Sequence, residues 1–354
     1  MKGAVFFCVD DRYFPIAATQ AVRVLEVTGP AVDVHIFVDG VGPAPPLVAA
    51  LEERGAGRLH VQVNKLLRHL PREAPIGLTG SWIVYGRLFA PRYIDAERAL
   101  YLDVDIGLEG ELDTLLELEM RGATIAAVPD LGLIYEAKCR TELSDPLAVL
   151  RYFNAGVILF DCARWLARDV DTDLRAWAEQ NPNERYADQA FLNAAEEGRW
   201  LPLSPRWNCQ GSLIVSGLGT AVAPHIFHFT GWRPWEKPRL PIHVPHADVF
   251  RLRAIEAGIA PANFDRLRRR KRTWWVKAMT AQLQRGLCEC GLRTPAMRRR
   301  REAFVDRLRF FHSYLQQAEA RGFFADSFHL GATRIIQPIF DGRQFYGVPG
   351  EIEL

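Results

Sequence analysis

The 354-residue chain has no long apolar run and no cysteine pattern of the kind that builds a metal or disulfide framework. None of its six cysteines forms a C-x-x-C pair, which favours reduced, buried thiols. No apolar stretch reaches the ~18–20 residues of a membrane helix. The opening M-K-G-A-V-F-F-C-V-D-D is too short in apolar length for a secretory leader. We therefore expect a globular, cytoplasmic protein.

An excess of charge of one sign is also missing from the chain as a whole. Lysine and arginine number 44, aspartate and glutamate number 42, and the net charge is +2. The total charge therefore points to no particular class of partner. Apolar residues make up 49% of the chain, and a chain of this length can bury roughly 70–75% of its surface. These values fit one large α/β domain with an appendage, or two domains.

Short apolar runs alternate with helical patterns through the first part of the chain. The runs at 4–9, 32–38 and 58–63 predict buried strands, and the spacing over 13–27 and 45–54 predicts helices. Further along, the spacing over 81–93 predicts one helix, and the run at 157–160 predicts a strand that is entered through N-A-G and followed by a helix with Asp161 as its cap. Such alternation indicates a mostly parallel sheet with helices on both faces. In sheets of this kind, ligands bind at the carboxyl ends of the strands.

Two acids interrupt an apolar run in the middle of the chain. The stretch A-L-Y-L-D-V-D-I-G-L places Asp103 and Asp105 after a predicted strand, and Asp10 and Asp39 end two earlier strands in the same way. Residues two apart in an extended chain point to the same side, so Asp103 and Asp105 can face one cation. Oxygen ligands favour a hard cation such as Mn²⁺ or Mg²⁺. A lone D-x-D also occurs in turns and helix caps.

Several segments together resemble glycosyltransferase family 8, which comprises retaining transferases and includes bacterial lipopolysaccharide galactosyl- and glucosyltransferases and glycogenin. The resemblance implies a GT-A fold, the nucleotide-diphospho-sugar transferase arrangement, with a mixed, mostly parallel sheet and helices on both faces. We expect a transferase domain over 1–248 and, past the shift in composition near Asp248, a basic, partly helical extension over 249–354. The matching segments lie in order between residues 1 and 238 and read F-F-C-V-D-D-R-Y, S-W-I-V-Y-G-R-L-F, A-L-Y-L-D-V-D-I-G-L, Y-F-N-A-G-V-I-L-F-D, E-R-Y-A-D-Q-A-F-L-N and H-I-F-H-F-T-G-W-R-P-W.

The same resemblance implies a metal site and two catalytic residues. Asp103, Asp105 and His228 would hold the metal on the diphosphate of a nucleotide sugar, although a single histidine is more often a core residue. Asp188 and Gln189 would lie at the donor sugar, and the alternative for Asp188 is a helix-start cap. Because the family offers only an amide, Gln189, near the reacting carbon, we favour front-face displacement over the carboxylate nucleophile of retaining glycosidases. The sequence leaves both routes open.

The remaining donor contacts are implied in the same way. Asp10 and Tyr13 would contact uracil and ribose, and Arg87 would reach a phosphate or a sugar hydroxyl. The alternative for Arg87 is a surface salt bridge. The family usually ends this region with H-x-x-G-x-x-K-P-W, whereas here the turn is one residue shorter and Arg233 stands at the lysine position. The full expected set is Cys8, Val9, Asp10, Tyr13, Arg87, Asp103, Val104, Asn154, Ala155, Asp188, Gln189, Gly231 and Arg233.

The expected reaction follows from these implications. It is transfer of a hexose, galactose or glucose, from a UDP-sugar to a glycan or a lipid-linked saccharide, with Mn²⁺ or Mg²⁺ as cofactor. One alternative is a sugar nucleotidyltransferase, but such an enzyme normally carries a glycine-rich loop after the first strand. The segment D-D-R-Y-F-P-I contains no glycine. A second alternative is a non-catalytic module that binds nucleotide sugars or glycans.

The last hundred residues concentrate positive charge beside aromatic side chains. Residues 266–277 read R-L-R-R-R-K-R-T-W-W-V-K, and a second arginine cluster covers 298–301. Cations next to interfacial aromatics are typical of peripheral membrane anchors, so we expect contact with the inner face of the cell membrane through 266–311. A solvated helical face is the alternative. Nucleic-acid binding is disfavoured because no recognition motif accompanies the patch.

Overall fold

The structure is a computed structural model. It describes residues 2–78, 80–141, 145–148, 151–216, 218–219, 221–230, 283, 287, 290 and 294–331.

The amino-terminal part of the chain has the predicted alternation of strands and helices. Strands β1 (Gly3–Asp10), β2 (Val32–Asp39) and β3 (Leu59–Val63) alternate with helices α1 (Phe14–Glu26) and α2 (Pro45–Arg54). All five elements agree with the predicted bounds to within a residue. The first two strands are buried along nearly their whole length, which explains their continuous apolar runs.

The middle of the chain supplies the strands that carry the acids. They are β4 (Arg98–Leu102), β5 (Ile106–Leu108), β6 (Ile125–Pro129), β7 (Phe153–Asp161) and β8 (Leu201–Pro202). Strand β7 begins four residues before the predicted strand at 157–160, so the N-A-G segment lies within the strand instead of leading into it. The side chain of Asp161 caps the following helix by accepting a hydrogen bond from the amide of Arg164, as predicted.

The helical segments in the middle of the chain differ more from the sequence-based prediction than the strands do. The single helix predicted over 81–93 is instead two 3₁₀ turns, Trp82–Tyr85 and Ala90–Tyr93, on either side of a short α3. Pro91 lacks an amide hydrogen, which weakens a continuous helix there. The helices of this region are α3 (Gly86–Phe89), α4 (Asp113–Leu116), α5 (Leu131–Lys138), α6 (Cys162–Leu166), α7 (Val170–Gln180), α8 (Ala187–Ala195) and α9 (Gly211–Ser216).

The strands form one large sheet and one small one. The large sheet has the order β3-β2-β1-β4-β7-β6-β8, in which only β7 runs antiparallel to its neighbours β4 and β6. The predicted mixed, mostly parallel sheet is thus confirmed. The small sheet joins β5 to β10 (Ile226–His228) and β9 (Cys209–Gln210), with β10 in the centre. The antiparallel pairing of β10 with β5 sets His228 opposite Ile106.

A long helix from the carboxyl-terminal region, α10 (Pro295–Ala320), packs on the rest of the protein. Its buried residues recur at steps of three and four, which gives one apolar face. The hydroxyl of Tyr135 on α5 donates to Asp306 on α10 at 2.7 Å. The buried residues of the shared cluster are Leu131, Ile134, Tyr135, Cys209, Leu213, Leu218, Val222, Phe304, Leu308, Phe310, Phe311, Tyr314, Leu315, Ala318 and Phe324.

This packing bears on the expected membrane contact. The described part of 266–311 belongs almost entirely to α10, whose apolar face is buried against the protein and whose Arg298 and Arg299 are exposed. The aromatic and basic segment at 266–277 lies outside the described residues. No helix among the described residues has the length and apolar content to cross a bilayer.

Candidate active site

The acid pair lies where the two sheets meet. Asp103 follows β4 directly, and its amide donates to the carbonyl of Gly156 on β7 at 2.8 Å. The amide of Phe229 donates to the carbonyl of Asp105 at 2.8 Å, which holds the end of β10 against the acid pair. The backbone pairing in the small sheet thereby places His228 next to Asp103 and Asp105, which precede it by more than a hundred residues in the sequence.

The side chains of Asp103, Asp105 and His228 converge on one point. The Nε2 atom of His228 lies 3.4 Å from a carboxylate oxygen of Asp105 and 3.7 Å from one of Asp103. The ring is buried, and the two carboxylates are partly exposed. Burial favours the neutral ring, but the two acids outweigh it and raise the pKa of His228 above its usual value. The three groups thus favour positive charge at their centre.

Gly156 leaves the space that this convergence needs. A Cβ atom at this position would overlap Cε1 of His228 and would lie 2.8 Å from Oδ2 of Asp103. Only a residue without a side chain lets the histidine and the acid approach β7 together. Two carboxylates and one imidazole, held at this spacing, form a donor set that fits a divalent cation of the Mn²⁺ type.

A chain of buried side chains fixes the orientation of His228. Its Nδ1 atom lies 2.9 Å from Oδ1 of Asn208, whose Nδ2 donates to Oδ1 of Asn154 at 3.0 Å. Because the amide nitrogen of Asn208 is engaged with Asn154, its oxygen faces the ring and accepts a hydrogen bond from Nδ1. The Nε2 lone pair of the neutral ring is therefore directed at the acids, as a metal ligand requires.

The same chain continues to Gln189. Asn154 donates to Oδ2 of Asp130 at 3.2 Å, and Nε2 of Gln189 donates to the same oxygen at 3.4 Å. The other carboxylate oxygen of Asp130 caps α5 by accepting a hydrogen bond from Leu133. Oε1 of Gln189 accepts a hydrogen bond from the amide of Ala155 at 3.0 Å. Both ends of the Gln189 amide are thus held, and one hydrogen-bonded path joins it to His228.

Arg87 is buried in the centre of the site, so the alternative of a surface salt bridge is wrong. Its guanidinium lies 3.2 Å from Asp103 and 3.1 Å from Asp188, and it covers the ring of Tyr101. Burial raises the pKa of Asp188 to about 6, although Arg87 opposes the shift. The hydroxyl of Tyr101 donates to Asp103 at 2.6 Å. Arg87 therefore holds one predicted metal ligand and one predicted sugar ligand in a fixed relation.

The residues expected at the nucleoside end lie in the last part of β1 and in the segments that follow β1 and β4. Cys8 and Val9 are buried near the carboxyl end of β1, and burial raises the pKa of the Cys8 thiol. The carboxylate of Asp10 accepts a hydrogen bond from the amide of Tyr13 at 3.1 Å, which shapes the entry to α1. The carbonyl of Val104 accepts a hydrogen bond from Gln20. The contacts of these residues with a nucleotide stay predictions, and Gly231 and Arg233 lie outside the described residues.

Sequence reasoning missed Asn208, Asp130, Gly156 and Tyr101. Asp130 had a usable signal, since it follows a strand in the same way as Asp103. Gly156 was quoted within a matching segment but given no role. Asn208 stands between Trp207 and Cys209 in a short irregular segment, where only its polarity among buried neighbours distinguishes it.

A mixed sheet with an Asp-x-Asp pair at the carboxyl end of a central strand is the arrangement expected of the GT-A fold. The chain belongs to glycosyltransferase family 8, because the family model described as glycosyl transferase family 8 matches residues 4–238. The predicted family and the GT-A fold are confirmed, and membership of this family supports the predicted enzyme class.

Individual relatives agree with this assignment. The glycosyltransferase GlyF of Streptococcus pneumoniae serotype 4 is 31% identical over 249 residues, which cover 66% of this chain and 58% of the relative. The lipopolysaccharide 1,2-glucosyltransferase of Escherichia coli K12 is 34% identical over 131 residues, covering 36% of this chain and 38% of the relative. The chain thus spans less than two thirds of the length of these relatives.

Among solved structures, the galactosyltransferase LgtC, in complex with donor and acceptor sugar analogues, superposes with a TM-score of 0.60 at 23% identity. The match covers 74% of this chain and 99% of that one. At this level of identity the likeness supports the common fold.

Proposed function

We propose that the protein transfers a hexose from a UDP-sugar to a glycan or a lipid-linked saccharide, with Mn²⁺ or Mg²⁺ held by Asp103, Asp105 and His228. The observation that carries the proposal is the convergence of these three side chains, with Nε2 of His228 within 3.4 and 3.7 Å of the acids. The names of the relatives support a hexose: one is a glucosyltransferase and LgtC is a galactosyltransferase.

In this proposal the protein prepares a site for a diphosphate. A divalent cation bound there would neutralise the charge that develops on the leaving nucleoside diphosphate. Asp103 and Asp105 face the partly open side of the site, where a diphosphate can approach. Arg87 keeps Asp103 and Asp188 in place from the buried side. The cation site and the expected donor-sugar site would therefore keep a constant spacing.

The proposed roles of Asp188 and Gln189 follow from their surroundings. Asp188 is ionised at neutral pH because its pKa, although raised, is about 6. It would accept hydrogen bonds from hydroxyl groups of the donor sugar. Gln189 is neutral and its amide is held at both ends. A neutral, fixed amide is a poor covalent nucleophile but can orient the sugar, which favours front-face displacement.

A donor screen tests the proposed function. Purified full-length protein is incubated with Mn²⁺ and a panel of UDP-sugars, and the UDP released by slow hydrolysis is measured without an acceptor. We expect turnover of UDP-galactose or UDP-glucose, loss on chelation, and a decrease on the order of 100-fold or more in Asp105→Ala. Asp173→Ala, which removes an exposed acid paired with Arg168, serves as the matched control.

The outcomes also separate the alternatives. Full activity in Asp105→Ala would refute the metal assignment. Release of pyrophosphate from UTP and a sugar phosphate, without turnover of any UDP-sugar, would identify a nucleotidyltransferase. Tight binding of a UDP-sugar with no turnover, even when candidate acceptors are supplied, would identify a binding module.

The proposal includes an approach to the inner face of the cell membrane through the basic segment at 266–277. The charge and the two tryptophans of this segment support it. Co-sedimentation with vesicles of anionic phospholipid measures the contact. We expect the full-length protein to bind and a variant with Arg268, Arg269 and Arg270 changed to glutamate to bind weakly. Equal binding of both proteins would contradict this part of the proposal.

A further inference from the structure

A second group of metal-ligating side chains lies on β2 and β3, apart from the candidate active site. Asp33 and His35 are two residues apart on β2 and share a face of the sheet, and His60 on β3 pairs with His35 in the parallel register. The three residues lie near the amino ends of these strands, whereas the candidate active site lies at the carboxyl ends. One potential ligand atom from each residue lies within 4.8 Å of the others.

The two imidazole rings have a separation suited to one ion. Their centroids are 4.8 Å apart and their planes differ by 28°. Two imidazoles bound to one zinc ion, at a Zn–N distance of about 2.0–2.1 Å and a tetrahedral angle, have centroids about 5 Å apart. The rings are stacked as they stand, and rotation about the side-chain torsions would turn one nitrogen of each ring, together with the carboxylate of Asp33, towards a common ion.

The protonation and the neighbours of His35 also suit a ligand. Burial, together with His60 and Lys2, lowers the pKa of His35 to about 4, so the ring is neutral at pH 7. The side-chain amide of Gln62 lies 3.2 Å from Nδ1. Turning this amide by 180° would present its oxygen to the Nδ1 hydrogen and leave Nε2 as the ligand atom, the arrangement that Asn208 provides for His228.

We propose that Asp33, His35 and His60 bind one transition-metal ion of the zinc class. Two nitrogen ligands and one carboxylate favour zinc over Mg²⁺ or Ca²⁺, which prefer oxygen. Asp33 and His60 are half-buried, so solvent can supply a fourth ligand. The ammonium of Lys2 lies 2.8 Å from Asp95 and 3.8 Å from Asp33, so the ion displaces only the longer contact. Bound zinc would tie the outermost strand of the large sheet to its neighbour.

Calorimetric titration of untagged full-length protein with Zn²⁺ tests this proposal. To separate the two metal sites, the titration is repeated on a variant in which Asp103 and Asp105 are both alanine. We expect this variant to bind one Zn²⁺, and we expect His60→Gln in the same background to weaken that binding more than about tenfold. His329→Gln, which changes an exposed histidine, should leave the binding unchanged.

Two further measurements keep the result interpretable. Co²⁺ in place of Zn²⁺ should give visible d–d absorption bands that disappear in the His60→Gln protein. Zinc should raise the Tm of the variant lacking Asp103 and Asp105 and should not raise it after His60→Gln, while the metal-free Tm values report whether the substitution itself unfolds the protein. If His60→Gln does not fold, Asp33→Asn replaces it. Absence of micromolar Zn²⁺ binding, or binding unaffected by either substitution, would overturn the proposal.

Discussion

Replacing Asn208 by alanine should weaken Mn²⁺ binding at a site that Asn208 does not itself ligate. Asn208 is fully buried, and its oxygen accepts a hydrogen bond from Nδ1 of His228. Without this acceptor, the neutral ring can carry its hydrogen on either nitrogen and can rotate. Part of the population would then turn a protonated Nε2 towards Asp103 and Asp105, which is unsuitable for metal binding.

The magnitude follows from the contacts that are lost. A buried donor left without a partner costs about 1–3 kcal/mol. Oxygen Oδ1 of Asn154 loses one donor but keeps the amide of Gly156 at 3.0 Å, so its share is smaller. Removing a group that orients a ligating histidine lowers metal affinity about 10–100-fold, or about 1.4–2.7 kcal/mol. We expect a decrease of that size in Mn²⁺ affinity, together with a moderate loss of stability.

The assay is a titration of free Mn²⁺ by electron paramagnetic resonance in the presence of UDP, with urea unfolding on the same samples. Asn208→Asp keeps an acceptor for His228 and should retain Mn²⁺ binding better than the alanine variant. Ser204→Ala removes another buried polar side chain, one that donates to Asp326, and should lower stability without changing Mn²⁺ affinity. An Asn208→Ala protein that is folded and binds Mn²⁺ as tightly as the wild type would refute the reasoning.

Three further predictions concern packing and charge. Gly156→Ala should lower both Mn²⁺ affinity and UDP release, since its methyl group overlaps His228. Wild-type values in both assays would contradict the conclusion that His228 and Asp103 need the space at Gly156. Deleting residues from 294 onwards should lower the Tm measured by circular dichroism, because it exposes the apolar cluster on α5; an unchanged Tm would contradict this. UDP release should fall as the pH drops below about 6, where Asp188 gains a proton. Asp188→Asn should have low activity that does not decrease further over this pH range. The same decrease at low pH in Asp188→Asn would show that another group is titrating.

The deletion from residue 294 onwards affects more of the molecule than the sequence of the carboxyl-terminal region suggests. The basic and aromatic composition past about residue 248 predicts that removing this region weakens membrane association more than UDP binding. Buried residues of α10 and α5 pack together in one apolar cluster. The amino-terminal cap of α5, Asp130, also accepts a hydrogen bond from Gln189. Loss of α10 should therefore disturb the candidate active site as well. The periodic spacing of apolar residues in 304–318 predicts an apolar helix face, but it does not distinguish a face that contacts a membrane from one that packs against the same chain.

The sheet could largely be predicted because its strands are buried runs with clear ends. Strand β1 and helix α2 were placed to within a residue, and the acids at the ends of β1 and β4 marked the side of the sheet where the site lies. The direction of β7 could not be predicted, since an apolar run has the same composition in parallel and antiparallel pairing. The broken helix at 82–93 depended on local turns that compete closely with a continuous helix.

Only those residues of the candidate site that lie in recognisable sequence motifs could be predicted. Asp103, Asp105 and His228 belong to segments that resemble the family, and the structure brings their side chains together. Asn208 belongs to no such segment, and its partnership with His228 depends on a three-dimensional contact between residues twenty positions apart. The burial of Arg87 likewise results from the contact of α3 with β1 and from the hydrogen bond of Arg87 to the carbonyl of Ala155 on β7, neither of which a local sequence pattern predicts.

Anomalous diffraction from a crystal grown with Mn²⁺ and UDP tests the central claim most directly. The account predicts one Mn²⁺ peak between the carboxylates of Asp103 and Asp105 and the Nε2 atom of His228, with diphosphate oxygens completing its coordination. A diphosphate bound in the site with the Mn²⁺ peak elsewhere, or with His228 turned away from the ion, would contradict it.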